Sequence, residues 1–215
     1  MLRQIWHLSV KEDSKLHWEQ VYQTKSPEQV SWTQAMPHTS LTLIRSLQLP
    51  KTAKIIDIGG GDSTLVDHLI LEGFDNITVL DISSSALEKA KIRLGDKSKL
   101  VKWIVSDVTM FAPEETYDLW HDRATFHFLT DDNQVTAYLN IVEHAVAQYM
   151  IIATFSETGP ERCSGLSIKQ YSQTQLTDRF NKNFVSVNCV NDTHVTPFNT
   201  KQNFIFCSLE KRELL

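Results

Sequence analysis

Between residues 53 and 155 the chain repeats one pattern. A short apolar run is followed by a polar or glycine-rich break, then by a stretch with apolar positions three and four apart. AKIIDI (53–58) is rich in isoleucine and ends on glycine, which predicts a strand buried on both faces. DSTLVDHLILEG (62–73) follows as a helix, with Leu65, Leu69 and Ile70 on one side, Asp62 or Ser63 as its cap and Gly73 as its stop. NITVLDI (76–82) and SSSALEKAKIRLG (83–95) repeat the pair, capped by Ser83 or Ser84. LVKWIVSDV (100–108) and YDLWHDR (117–123) read as the third and fourth strands, 132–148 as a helix and YMIIATF (149–155) as the fifth strand. Strands alternating with helices at this rhythm predict βαβ crossovers and an α/β, doubly wound, mostly parallel sheet.

The two ends break the rhythm. Residues 14–24 and 38–49 read as helical pieces of an N-terminal arm, the second closed by Pro50. After the loop SETGPERCSGLSI (156–168) come a short helix near 172–181 and two β-rich segments, 183–192 and 203–211. Their short connection predicts an antiparallel hairpin. The expected organisation is an arm over 1–49, roofing the site, and one structural unit over 50–215.

Composition adds exclusions. With 41% hydrophobic and 22% charged residues, the 215-residue chain has enough apolar material for one sizeable core. A formal net charge of −5 and no dense Lys/Arg run speak against a nucleic-acid partner. No run of about 18 apolar residues suggests a membrane span. The first 19 residues lack the apolar core of a signal peptide. Three sparse cysteines, Cys163, Cys189 and Cys207, match no zinc spacing and suit a reducing compartment, so a cytoplasmic protein without a metal site is expected.

The chemistry concentrates in KIIDIGGGDSTLVDHLI (54–70). Three consecutive glycines between a strand and a helix leave the backbone bare where a nucleotide can approach it, and the helix start offers free N–H groups. Asp81, 22 residues after Gly59, ends the next strand, where an acid can accept hydrogen bonds from ribose hydroxyls. The dinucleotide fingerprint fails, because Thr64 stands where its third glycine belongs.

DIGGGDS, VLDIS and VSDVT, in that order, resemble the motifs of the seven-stranded class I S-adenosylmethionine-dependent methyltransferases over about residues 50–155. The resemblance implies a Rossmann-like methyltransferase fold with S-adenosylmethionine as cofactor. It implies Asp57, Gly59, Gly60 and Gly61 as the cofactor loop, with Ser63 in place of the family's third glycine. Asp81 and Ile82 would lie at the ribose, and Asp107 and Val108 at the adenine. The residues also have plainer uses: Asp57 as a holder of the loop, Asp81 as a helix cap, Asp107 as a turn residue. HWEQVYQTKSPEQVSW and WHDRATFHFL are similar to the arm and the post-strand motif of a methyltransferase-like subgroup, some of whose members methylate protein lysines and many of which have no assigned substrate.

Methyl transfer asks the protein to align nucleophile, methyl and sulfur and, for some acceptors, to remove a proton. Candidates past the fourth strand are His121, Asp122, Arg123 and His127. Arg123 can hold a substrate carboxylate or pair with Asp122, whereas His127, among Phe126, Phe128 and Leu129, can equally be a core histidine. Tyr22 and Trp32 can pack the arm or face the sulfonium. Cys163, in the loop over the expected pocket, is a candidate thiol or simply a small side chain. A small-molecule acceptor is favoured over a protein lysine. The alternatives of another class are a nicotinamide-dependent oxidoreductase, which lacks a Tyr-x-x-x-Lys here, and a non-catalytic nucleotide-binding module.

Overall fold

The computed structural model describes residues 14–212; the expectation about a signal peptide falls largely outside them. Helix α1 (residues 14–24), a single 3-10 turn Pro27–Gln29 and helix α2 (His38–Ser46) form the arm. Then follow β1 (Ile55–Ile58), α3 (Leu65–Leu71), β2 (Ile77–Asp81), α4 (Ser84–Leu94), β3 (Val101–Val105), β4 (Tyr117–Arg123), α5 (Asp132–Ala145) and β5 (Val146–Phe155). A two-residue ribbon, β6 (Arg162–Cys163) with β7 (Leu166–Ser167), lies within the segment expected to be loop. Helix α6 (Gln173–Phe180) leads to the long hairpin β8 (Phe184–Val195) and β9 (Lys201–Lys211).

Seven strands join in the order β3-β2-β1-β4-β5-β9-β8, with β9 antiparallel to β5 and to β8 and the other pairs parallel. The α/β sheet with its terminal hairpin is the one the pattern predicts. Chain direction across the sheet reverses between β1 and β4, so the loops after these two strands open a crevice at their C-terminal ends.

Strand parity divides the core. Ile56, Ile58, Trp120 and Ile152 pack with α5 and α6 on one face. Ile55, Leu119 and Ile151 pack with α2, α3 and α4 on the other. Asp57 and His121, directly paired across β1 and β4, take the second parity, as does Arg123. Helix α4 starts where Ser83 Oγ accepts the Ala86 N–H at 3.1 Å. Helix α5 ends three residues earlier than its periodicity suggests, because the fully buried Val146 already pairs with Tyr117 in the sheet.

One expectation is corrected. Cys189 and Cys207 stand directly opposite on β8 and β9, with Cα atoms 4.2 Å apart, and form a disulfide. Cys163 is the free cysteine, so the sparse set expected to suit a reducing compartment contains one disulfide. The pairing depends on hairpin register, which spacing in the sequence does not reveal.

Candidate active site

A cavity of about 390 Å³ lies over the C-terminal ends of β1, β2, β3 and β4. Asp57, Gly59, Gly60, Asp81, Ile82, Asp107 and Val108 line it, with Tyr22 and Trp32 from the arm and His121 and Arg123 from β4. These residues span 102 positions in sequence and converge because successive parallel strands end on one edge.

The glycine loop is tight and bare. Ser63 N donates to Gly60 O at 2.7 Å, closing the turn into α3. Gly59 has φ of 63°, and a Cβ there would fall on Thr125 Oγ1, which donates to Ile58 O at 3.1 Å. Gly61, at φ 45°, is covered: a Cβ would stand 2.8 Å from the Tyr22 hydroxyl and 2.9 Å from Asp81 Oδ2. The structure therefore puts Gly59 and Gly60 on the cavity wall and Gly61 behind Tyr22.

Asp81 is 5% exposed. Ser83 N donates to its Oδ1 at 2.8 Å. Burial, reinforced by the charges of Asp57 and Glu19, pushes its carboxyl up to about 7 despite the amides that stabilise the ionised form. Asp107 Oδ1 accepts from Thr109 N and Thr109 Oγ1, both at 2.8 Å, so it caps a one-turn 3-10 segment while lining the cavity. Ser83, not Asp81, is the cap of α4, and both acids line the cavity.

His121 is buried in a chain of three side chains. Its Nδ1 lies 2.6 Å from Asp57 Oδ1 and its Nε2 2.9 Å from Ser40 Oγ, on α2. A carboxylate only accepts, so Nδ1 donates to Asp57, and Nε2 is engaged by the Ser40 hydroxyl. Asp57 thus ties the first strand to the fourth and, through His121, to the arm.

Two of the expected catalytic residues lie outside the cavity. Asp122 is fully buried on the opposite face of β4. It accepts from Thr125 N at 2.8 Å, Phe126 N at 3.3 Å and Tyr138 Oη at 2.7 Å, and burial raises its carboxyl to about 6. The alternation of a strand dictates this: if His121 and Arg123 face the site, Asp122 cannot. His127 is fully buried against Phe128 and Phe155, its Nδ1 accepting from Phe155 N at 3.3 Å. Burial and the charge of Arg123 lower its pKa to about 3, so it is neutral in the physiological range.

Arg123 has a different surrounding. Its Nη1 donates to Trp32 O at 3.1 Å and its guanidinium lies 5.1 Å from the Phe204 ring centroid. The next residue, Ala124, has φ of 77°, an uncommon value for a side chain with a Cβ, at the point where β4 turns into the site. Cys163 also lines the cavity, and burial pushes its thiol up to about 11.

Sequence reasoning missed several contributors. Trp18 stacks edge-on with Trp32 at 5.6 Å and Phe128 at 5.1 Å, building an aromatic wall with Tyr22. Glu19 accepts from Ser84 N at 2.6 Å, Ser84 Oγ at 2.8 Å, and Ser83 Oγ and Ser85 N at 3.1 Å. This fastens α1 to the N-terminus of α4. Burial would raise the Glu19 carboxyl, but these hydroxyls and amides outweigh it and hold it down to about 2. Ser40 carried no local signal, and Thr125 entered only as part of the post-strand motif. The parity of β4, once anchored on Asp57, would have sorted His121 from Asp122.

Residues 55–147 match the methyltransferase-domain family. Malonyl-acyl-carrier-protein O-methyltransferase 1 of Ilyobacter polytropus is 31% identical over 170 residues, which cover 72% of this chain and 61% of that protein. The chain thus spans less than two thirds of the length of that relative. An S-adenosylmethionine-dependent methyltransferase from Anabaena variabilis has a similar fold, with a TM-score of 0.74 at 13% identity, over 94% of this chain and 95% of that one. So has the Burkholderia thailandensis 1,6-didemethyltoxoflavin-N1-methyltransferase, solved with its substrate and S-adenosylhomocysteine. Its TM-score is 0.68 at 16% identity, over 98% of this chain and 90% of that one.

Proposed function

We propose that this chain, which belongs to the class I S-adenosylmethionine-dependent methyltransferases, transfers the methyl group of that cofactor to a nucleophile on a small molecule. The observation that carries the reading is convergence: Asp57, Asp81 and Asp107, near the ends of three adjacent strands, line one cavity with the bare backbone of Gly59 and Gly60 between them. The fit to the cofactor rests on that cradle and on Asp81, a buried carboxyl that ribose hydroxyls would satisfy. Asp107 and Val108 would hold the adenine. When bound, the cofactor supplies an electrophilic methyl on a sulfonium that leaves without acid assistance. Aligning the acceptor and excluding water fall to this chain's own residues.

A small acceptor suits the enclosure. The cavity volume lies in the range of small-ligand sites, and the aromatic wall of Trp18, Tyr22 and Trp32 closes it on the arm side. The Ilyobacter relative acts, by its name, on an oxygen of malonyl-acyl-carrier protein, a small acyl group carried on a protein. The family match favours methyl transfer over hydride transfer or a non-catalytic role.

The test is to incubate the purified protein with methyl-tritiated cofactor and a cell extract, then separate proteins from small molecules. Label in the small-molecule fraction is expected. Label confined to a protein band would overturn the small acceptor. Failure to bind S-adenosylhomocysteine in calorimetry would overturn the methyltransferase reading itself.

A further inference from the structure

Arg123 lines the cavity, yet its Nε and Nη2 are shut off from water and have no hydrogen-bond partner. Among the described residues no carboxylate forms an ion pair with it; Asp192 and Asp57 act on it only through space. Burial pulls the guanidinium down to about 10, which still leaves it charged at neutral pH. A half-buried cation with two idle, shielded donors is costly, and a planar fork of N–H groups matches an anion with two oxygens. Cys163 beside it cannot supply that anion, because its thiol stays protonated.

The second observation concerns proton removal. His121 spends both ring nitrogens, on Asp57 and Ser40. His127 and Asp122 lie outside the cavity, and the Tyr22 phenol is held protonated by burial and by Asp81. An ammonium or alcohol acceptor must give up a proton to become a methyl amine or ether. A carboxylate arrives already without one.

We propose that the acceptor is a carboxylate seated against Arg123 and that the product is its methyl ester. The proposal rests on the methyltransferase reading above. One carboxylate oxygen forms the bond to the methyl carbon as the methyl–sulfur bond breaks, and the electron pair of that bond stays on sulfur. Anion and sulfonium become two neutral products, and no proton moves. The neutral ester no longer pairs with Arg123, which favours its release.

Methyl esters give themselves away, since alkali releases volatile tritiated methanol from them and not from methylated nitrogen, sulfur or ether oxygen. The full chain is incubated with methyl-tritiated cofactor and, in turn, octanoate, benzoate, monomethyl adipate, the matching amides, alcohols and amines, and the small-molecule fraction of a cell extract. Alkali-labile label is expected from a carboxylate or from the extract, and none from the amides. In parallel, Arg123→Gln and Arg123→Lys are titrated with S-adenosylhomocysteine by calorimetry. Both are expected within about twofold of the wild-type affinity, while methyl transfer falls about a hundredfold in Arg123→Gln and less in Arg123→Lys. If Arg123→Gln fails to fold, Arg123→Lys, which keeps the charge and loses the fork, carries the comparison. Alkali-stable label, or no label from a protein that binds S-adenosylhomocysteine, overturns the carboxylate and leaves the cofactor reading intact. Loss of S-adenosylhomocysteine binding in a folded Arg123 variant would assign Arg123 to the cofactor instead and overturn the proposal. No binding by the wild type would bring down the methyltransferase reading.

Discussion

Replacing Asp81 by asparagine should make the protein more stable and its cofactor binding worse. Asp81 is nearly water-free, and its carboxyl is raised from 3.8 to about 7, chiefly by burial. That rise penalises the ionised form in the folded chain by roughly 4 kcal/mol, at 1.36 kcal/mol for each pH unit, as an upper bound. Between about pH 4 and pH 7 the folded chain keeps a proton that the unfolded chain has released. Raising pH through this window therefore withdraws stability, and the loss is complete above pH 7. Asparagine carries no charge to penalise, but its single oxygen must serve the amides of both Ser83 and Gly61, which costs about 1 kcal/mol. The net expected gain at pH 8 is about 2–3 kcal/mol, or roughly 4–12 °C in Tm for a domain of this size. Cofactor affinity moves the other way. A hydrogen bond to a charged group contributes about 1.5–3 kcal/mol, so S-adenosylhomocysteine should bind at least tenfold more weakly. Urea unfolding of both proteins without cofactor, at pH 5.5, 6.5 and 8, checks the first half, and calorimetry at pH 8 the second. The stability gap should widen with pH. A variant less stable than wild type at pH 8, or one with unchanged affinity, would refute the reasoning.

Two further outcomes follow from single contacts. Gly59→Ala places a Cβ on the Thr125 hydroxyl in a backbone conformation that alanine disfavours, so it should lower the urea midpoint by an amount equivalent to about 2 kcal/mol or more; Gly73→Ala, also at positive φ but with open space around its Cβ, should cost clearly less. Glu19→Ala removes the acceptor of four hydrogen bonds between α1 and α4, so limited proteolysis should cut the arm faster than in wild type. Because the Glu19 carboxyl is held at about 2, this clamp is fully present above about pH 4.5 and is lost only as pH falls towards 2, so the protection of the arm in the wild type should be flat from pH 5 to 8.

Much of the architecture is local and was therefore readable. Isoleucine-rich runs closed by glycine specify buried parallel strands, serine caps specify helix starts, and their alternation leaves little choice but a doubly wound sheet. Because each strand of such a sheet ends on the same edge, Asp57, Asp81 and Asp107 could be assigned to one place from sequence alone. Residues 117–123 were legible as a strand, but which of His121, Asp122 and Arg123 meets the cavity was not. Adjacent side chains on a strand point oppositely, and the choice between faces was made by the pairing of His121 with Asp57 and by the Tyr138 hydroxyl waiting for Asp122 on the other side. Likewise the Cys189–Cys207 pair exists through the register of a hairpin, and Ser40, Glu19 and Trp18 reach the site through the way the arm folds back over the sheet. Periodicity and caps act over a few residues and are written in the chain. Contacts between elements, from the 16 residues between Asp122 and Tyr138 to the 81 between Ser40 and His121, are set when whole elements pack, and only the tertiary structure decides them.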